Sequence, residues 1–195
     1  MSSYAFYPGC TLHSTGVEFG ASTELVCHAL DLQMVEIDDW NCCGASSAHS
    51  MDHTLFLALP ARNLAQAQAV DLDGGADSTL DLAIPCAACF SRLAAADLAL
   101  KEDQAFRTRM ESVLDFQYQA RVRPRNLLDI LANDVPQARL SAQVKNPLQG
   151  LKVASYYGCL LVRPPQYTQL WDDPEPVSYT HLTLPTNRGA GGGGW

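Results

Sequence analysis

The sequence contains little positive charge. Its 13 lysine and arginine residues are outnumbered by 21 aspartate and glutamate residues, which gives a net charge of −8 at pH 7. A chain with this balance is repelled by polyanions, because binding to phosphate backbones or anionic lipids depends on clustered positive charge. The composition therefore argues against a protein that binds nucleic acid or the surface of an anionic membrane.

Long apolar segments are also missing. No run approaches the roughly 18 residues that a membrane-spanning helix requires, and the first residues lack the basic-then-apolar pattern of a secretory signal. The sequence also lacks a glycine-rich phosphate loop, a dinucleotide-binding fingerprint and the nucleophile elbow of a hydrolase. We expect no membrane insertion, a cytoplasmic location, and a flavin, where one is needed, on a partner protein.

Cysteine, in contrast, is frequent, with seven residues in a chain that shows no export signal. In that setting cysteines serve metal binding or redox chemistry more often than a disulfide framework. Six of them come shortly after apolar, strand-like runs. The runs are residues 4–7, 34–37, 80–84 and 152–157, and the cysteines that follow them are Cys10, Cys42, Cys43, Cys86, Cys89 and Cys159. The seventh, Cys27, lies within a helical pattern, and we assign it to packing.

The strand-like runs alternate with helical patterns, which predicts an α/β fold built from βαβ units with a mainly parallel sheet. In such a sheet the carboxyl ends of the strands lie along one edge, where ligands bind. The cysteines that follow the first three runs would therefore converge and bring five thiols to one place. We expect a metal site at this edge of the sheet.

The helical patterns cover residues 17–30, 53–72, 86–100, 102–119 and 125–132. Pro60 lies inside the second of them and predicts a kink or a break into two helices. Arg121, Arg123 and Arg125 form a small basic patch, which we interpret as a solvated face.

The adjacent pair Cys42-Cys43 is the most discriminating part of the predicted site. A Cys-x-x-Cys motif such as Cys86 to Cys89 does not discriminate alone, since redox dithiols, zinc sites and iron–sulfur clusters all use it. Neighbouring cysteines bridge to each other only with strain and are awkward as two ligands of one small ion, but each can hold a different iron of a cluster. Gly44 permits a positive φ and a close approach of the backbone to inorganic sulfur. Cys86 and Cys89 begin a helical pattern, where the helix dipole lowers the pKa of a thiol.

These motifs resemble the cysteine-rich CCG domain, which occurs twice in the B subunit of heterodisulfide reductase and also in glycolate oxidase iron–sulfur subunits and thiol:fumarate reductase. The likeness extends over about residues 3–172. The segments that resemble the B subunit in particular are residues 7–13, 39–45, 61–64 and 85–89, and residues 157–164 resemble the opening of its second repeat.

The resemblance implies an iron–sulfur subunit of a heterodisulfide-reductase-like oxidoreductase. A non-cubane [4Fe-4S] cluster would be held by Cys10, Cys42, Cys43, Cys86 and Cys89. Cys159 would be the first ligand of a second, incomplete cluster. In this family a small disulfide is split reductively between the two clusters. The implied partners are an iron–sulfur protein like the C subunit of that enzyme, a flavin-containing protein like its A subunit, and a small disulfide or thiol substrate.

Three segments are expected along the chain. Residues 1–145 form the first CCG domain, and residues 146–176 start a truncated second one, with a strand at 151–156. Residues 177–195 resemble a translated sequencing adapter followed by glycines, and we exclude them from the fold as a non-native tail. We expect this chain alone to be inactive, because the second repeat would lack most of its ligands.

Two histidines are further candidates for the site, and one alternative function remains open. His13 and His49 each follow a cysteine cluster and are candidates for lining the substrate cleft or donating to cluster sulfur, with a supporting hydrogen bond as the alternative. The rival function is a non-catalytic structural or assembly module, in which four of the five thiols hold zinc.

Overall fold

All the strands that the structure describes belong to one parallel sheet. The computed structural model describes residues 2–45, 47–72, 78–147 and 158–168. The strands are β1 (Ser2–Phe6), β2 (Leu32–Glu36), β3 (Leu80–Ile84) and β4 (Val122–Asn126). They pair in the order β2-β1-β3-β4, and every pairing is parallel. The predicted α/β class with βαβ units and a parallel sheet is confirmed.

Helices connect the strands and cover the sheet. They are α1 (Val17–Ala29), α2 (Ala48–Met51), α3 (His53–Ala67), α4 (Ala87–Glu102), α5 (Gln104–Leu114), α6 (Leu127–Asn133), α7 (Gln137–Gln143), α8 (Cys159–Val162) and α9 (Pro165–Thr168). Side chains fix the start of several of them. Asp52, Asp103 and Asn126 each accept a hydrogen bond from a backbone N–H of the first turn that follows, as N-cap residues do.

The two faces of the sheet bury two separate clusters. Successive residues of a strand point to opposite faces, so Leu82 joins a large cluster with Leu64 of α3 and Phe90 of α4. Its neighbour Ala83 joins a smaller cluster, to which α1 and α6 also contribute. Helices α3 and α4 therefore cover one face, and α1 and α6 cover the other.

Pro60 does not break the helix in which it lies. Helix α3 runs without interruption from His53 to Ala67, with Pro60 buried inside it. Ala61, Leu64 and Ala67 are buried on the same helix, and this packing outweighs the backbone donor that a proline removes. The prediction of two separate helices is wrong.

Strand β4 was missed in the sequence, and it changes the interpretation of the arginines. Arg125 lies on β4 with its side chain only 10% exposed, and its guanidinium forms ion pairs with Asp81 at 3.0 Å, Asp129 at 2.6 Å and Asp134 at 2.6 Å. Tyr4 donates a hydrogen bond to Asp134 at 2.8 Å. The predicted solvated basic patch is therefore wrong for Arg125, which is the centre of a buried ionic cluster.

The two short helices near the end of the described chain contact the first part of the fold. Helices α8 and α9 both lie against α4, and Leu161 of α8 is buried in the large cluster. The predicted strand at residues 151–156 and the predicted tail at 177–195 lie outside the described residues. The domain boundary near residue 145 stays a prediction.

Candidate metal centre

Three loops at the carboxyl edge of the sheet bring the cysteines together. Cys10 follows β1, the Cys42-Cys43 pair follows β2, and Cys86 follows β3. The sulfurs of Cys10 and Cys42 are 3.6 Å apart, and those of Cys43 and Cys89 are 3.2 Å apart. Cys86 is the N-cap of α4, and its thiol is hydrogen-bonded to that of Cys89. All five thiols that the sequence predicted to converge thus lie in one group.

Two glycines with positive φ lie in the loops that carry this group. Gly9 has a φ of +74°, and a Cβ at this position would lie 3.0 Å from the sulfur of Cys89. Gly44 also has a φ of +74°, and its Cβ would lie 2.8 Å from side-chain atoms of Ala48 and Leu59. The backbone conformation and the crowding both favour glycine. The predicted close approach of the Gly44 backbone to inorganic sulfur stays a prediction.

The proton distribution within the group is uneven. The hydrogen bond to Cys89 lowers the pKa of Cys43 to about 7. A hydrogen bond to the same thiol, together with the backbone amides of Cys89 and Ala88, lowers the pKa of Cys86 to about 6. The pKa of Cys89 is raised by these two bonds and by burial. These shifts favour the protonated form of Cys89 and the thiolate form of Cys86.

Cys42 and Cys27 lie in other environments. Burial raises the pKa of Cys42, although the backbone amide of Gly44 acts in the opposite direction. Cys27 is 2% exposed on α1, in the cluster on the other face of the sheet, and burial raises its pKa. Its predicted role in packing is confirmed.

An asparagine pair fixes the loop that carries Cys42 and Cys43. Asn63 of α3 is fully buried, and its side-chain amide is hydrogen-bonded to both backbone groups of Asn41. The backbone N–H of Asn41 donates to Oδ1 of Asn63 at 2.9 Å, and Nδ2 of Asn63 donates to the carbonyl of Asn41 at 2.9 Å. The hydroxyl of Tyr7 donates to the same carbonyl at 2.8 Å. Arg62 donates to the carbonyl of Asp39, two residues earlier in the loop. The likeness of residues 61–64 to the B subunit does not by itself predict this role, because the bond joins residues that are 22 positions apart.

His13 lies beside the loop, in contact with Trp40. The two rings are stacked with centroids 5.5 Å apart, and Trp40 meets Tyr7 edge to face at 5.6 Å. Glu36 accepts a hydrogen bond from Trp40 at 2.8 Å and lies 3.6 Å from Nε2 of His13. His13 is half exposed, and its predicted role in the substrate cleft stays a prediction.

The other predicted site residues are less defined by the structure. His49 belongs to α2, and its side chain lies outside the description. Cys159 is exposed at the first position of α8. The role of each stays a prediction.

The arrangement and chemistry of the five thiols indicate which kind of metal centre they could bind. Among the residues that the structure describes, no three histidine, cysteine or acidic side chains are grouped as ligands of one metal ion. The thiols form instead two sulfur pairs with one further hydrogen-bonded thiol. Thiolates are the usual ligands of iron–sulfur clusters, so the donor chemistry of these residues fits such a cluster.

Within the described ranges, no helix has the length and apolar character to cross a bilayer. The cytoplasmic location stays a prediction.

Fold and site together define a cysteine-rich α/β protein with a thiol group at the carboxyl edge of its sheet. Residues 4–94 match the family described as the CCG cysteine-rich domain. The chain is 25% identical over 190 residues to the B subunit of the ferredoxin/F(420)H(2)-dependent CoB-CoM heterodisulfide reductase of Methanosarcina acetivorans, over 95% of this chain and 60% of that protein. Residues 4–94 thus match a CCG cysteine-rich domain, and the chain is similar over most of its length to the B subunit of heterodisulfide reductase, which confirms the resemblance.

Two further relatives are similar to this chain. It is 33% identical over 179 residues to the 8-methylmenaquinol:fumarate reductase membrane anchor subunit of Wolinella succinogenes, over 90% of this chain and 59% of that protein. It is 24% identical over 179 residues to a protein of Archaeoglobus profundus named as similar to the B subunit of heterodisulfide reductase, over 89% of this chain and 57% of that protein. The chain spans between 57% and 60% of the length of these relatives.

Proposed function

We propose that this chain is the iron–sulfur subunit of an oxidoreductase related to heterodisulfide reductase. In this proposal Cys10, Cys42, Cys43, Cys86 and Cys89 hold a [4Fe-4S] cluster of the non-cubane type. The observation that carries the proposal is the grouping of five thiols at one sheet edge, with sulfur pairs at 3.2 and 3.6 Å. Thiolates are the ligands that iron–sulfur clusters require.

The residues of the chain have distinct roles in this function. Cys86 and Cys43, with pKa values of about 6 and about 7, offer thiolates at neutral pH, so little free energy is needed to remove their protons before metal binding. Asn63 holds the loop that positions Cys42 and Cys43. A bound cluster supplies one-electron transfer and iron that binds sulfur. His13, half exposed in the loop that also carries Cys10, is the candidate for lining the substrate cleft.

The acceptor proposed first is a small disulfide, because two of the relatives are named as subunits of CoB-CoM heterodisulfide reductases. A second candidate is a quinol or quinone, because the Wolinella relative is named for 8-methylmenaquinol and fumarate. The proposed partners are an iron–sulfur protein like the C subunit of heterodisulfide reductase and a flavin-containing protein like its A subunit. Cys159 is proposed as the first ligand of a second cluster.

Anaerobic reconstitution with iron and sulfide tests the proposal. We expect about four irons per chain and a brown protein, since clusters of this kind absorb visible light. Stoichiometric zinc with no iron-dependent absorption would instead support the zinc-module alternative and overturn the proposal.

Cys43→Ser and Cys27→Ser form a matched pair for the same measurement. Both remove one buried thiol, but only Cys43 belongs to the group at the sheet edge. We expect Cys43→Ser to retain less than about one iron per chain, while Cys27→Ser keeps the full complement. Equal iron content in the two variants contradicts the ligand assignment.

A further inference from the structure

An arginine without a carboxylate partner lies next to the thiol group. Arg92 is on α4, three residues after Cys89, and side chains at this spacing are neighbours on one face of a helix. Its side chain is partly buried. Within the part of the chain that the structure describes, Arg92 forms no ion pair and no hydrogen bond. Its position therefore brings an uncompensated positive charge close to the cysteines.

An aromatic ring holds the guanidinium of Arg92 in place. Its Cζ lies 4.2 Å from the centre of the Phe56 ring, which belongs to α3, and this distance is typical of a cation–π contact. The ring of Phe56 is also stacked with that of His53, with centroids 5.9 Å apart. A contact through the flat face of a guanidinium fixes its orientation and leaves its charge in place. Arg92 differs in this respect from Arg125, whose charge is balanced by three carboxylates.

The charge of Arg92 acts on the sulfurs of the thiol group. The hydrogen bond to Cys89 is the main cause that lowers the pKa of Cys43, and the charge of Arg92 acts in the same direction. The sulfurs of Cys43 and Cys89 are 3.2 Å apart, so both lie near the same cation. A nearby positive charge stabilises negative charge on a neighbouring group. Arg92 therefore favours whichever state of the thiol group is the more negative.

A cluster held by these cysteines would be negatively charged. Five thiolates outweigh the positive charge of an iron–sulfur core, and each electron that the cluster accepts makes it more negative. The reduction potential of such a centre depends on its net charge and on the protein groups around it. Arg62 also lies beside the Cys42-Cys43 loop, but it is paired with Asp39. Arg92 keeps its full charge available to the centre.

We propose that Arg92, held by Phe56, raises the reduction potential of the centre bound by the five cysteines. The inference rests on the proposed function and deepens it, because it names the residue that makes the centre easier to reduce. Arg92 acts on the centre through its electrostatic field and takes no part in bond making, so it is a positioning residue. Phe56 supports it by fixing the guanidinium.

The test is an anaerobic redox titration of the 195-residue chain after reconstitution with iron and sulfide. Arg92→Met keeps an unbranched apolar side chain and removes the charge. At the potential where half of the wild-type centre is reduced, we expect the ratio of reduced to oxidised centre in Arg92→Met to be about tenfold lower. This change equals about 59 mV for a one-electron couple. Visible absorption and electron paramagnetic resonance measure the ratio.

Three further variants separate the charge of Arg92 from its packing. Arg92→Lys keeps a positive charge, so its ratio should stay within about threefold of the wild-type ratio. Phe56→Leu keeps Arg92 but removes the ring, and the ratio should fall about threefold because the guanidinium is free to turn towards water. Arg107→Met is the matched control. It removes an arginine of α5 that is hydrogen-bonded to Gln104 and should change the ratio less than about twofold.

Three results overturn the inference: a wild-type ratio in Arg92→Met, an equal fall of the ratio in Arg92→Met and Arg92→Lys, or a loss of iron in both. Iron content is measured on the same samples. A loss of iron confined to Arg92→Met supports the role of the charge, and the potential is then compared in Phe56→Leu. A wild-type chain that binds no iron refutes the proposed function, whereas full iron in every variant with unchanged ratios removes only the inference.

Discussion

The sheet carries two polar clusters, and they differ in where their partners come from. Around Arg125, one guanidinium meets three carboxylates at 3.0 Å or less. Burial alone would lower the pKa of Arg125, but these carboxylates raise it. Burial would raise the pKa of Asp134, but the hydrogen bonds from Arg125 and Tyr4 lower it. The charges in this cluster are stabilised by other residues of the same chain.

The thiol group at the carboxyl edge has a weaker internal complement among the described residues. Its thiols are hydrogen-bonded to one another and to backbone amides, and the charge of Arg92 lowers the pKa of Cys43 without an ion pair to its sulfur. A buried cluster that holds the fold together satisfies its own charges, whereas a cluster built for a ligand leaves charge for that ligand to balance. From this contrast we infer that the ionic cluster around Arg125 stabilises the fold and that the thiol group serves ligand binding.

Arg125→Ala is the strongest test of this division. It leaves three carboxylates without their shared cation, and we expect the free energy of unfolding to fall by about 3 to 5 kcal/mol, measured by urea denaturation. Arg123→Ala removes an arginine that is 59% exposed and pairs with the same Asp81, and it should cost less than about 1 kcal/mol. Similar losses of unfolding free energy in the two variants would show that Arg125 contributes no more than an ordinary surface ion pair.

Asn63→Ala probes a polar contact that serves the thiol group. Two hydrogen bonds to Asn41 are lost, and the carbonyl of Asn41 keeps only the bond from Tyr7, so we expect a loss of about 1 to 2 kcal/mol. The iron content after reconstitution should also fall, because the Cys42-Cys43 loop is released. Gln66→Ala, on the same helix and bonded at 3.3 Å to the exposed Asp39, is the control and should change neither quantity. Full iron binding by Asn63→Ala would separate the loop contact from the metal centre.

The pH dependence of thiol alkylation gives a smaller but direct measure. Because the pKa of Cys86 is lowered to about 6, it is mainly thiolate at pH 7 and loses this form as the pH falls through 6. Its alkylation rate in the metal-free folded chain should drop about tenfold between pH 7 and pH 5, while ordinary thiols drop about a hundredfold. The same chain in urea, with mass spectrometry of the Cys86 peptide, provides the reference. A hundredfold drop in the folded chain refutes the lowered pKa.

Sequence reasoning recovered the parts of this protein that local patterns encode. The strands before Cys10, Cys42 and Cys86 are short apolar runs, and parallel pairing necessarily brings their carboxyl ends to one edge. Strand β4 escaped because its sequence is Val-Arg-Pro-Arg-Asn. It lies at the edge of the sheet, where a proline is tolerated, and its Arg125 is neutralised in part by residues distant in the chain. The contact between Asn63 and Asn41 escaped for a related reason, since an amide bonding across 22 residues leaves no periodic signal.

The bonds between Asn63 and Asn41 have a consequence for the metal-free chain. The side-chain amide of Asn63 is hydrogen-bonded to both the N–H and the carbonyl of residue 41, as the backbone of a neighbouring strand would be. The loop after β2 is therefore held by hydrogen bonds to α3 as well as by whatever its thiols bind, unlike a zinc finger, which folds only around its ion. We expect these bonds to α3 to survive removal of the metal by a chelator.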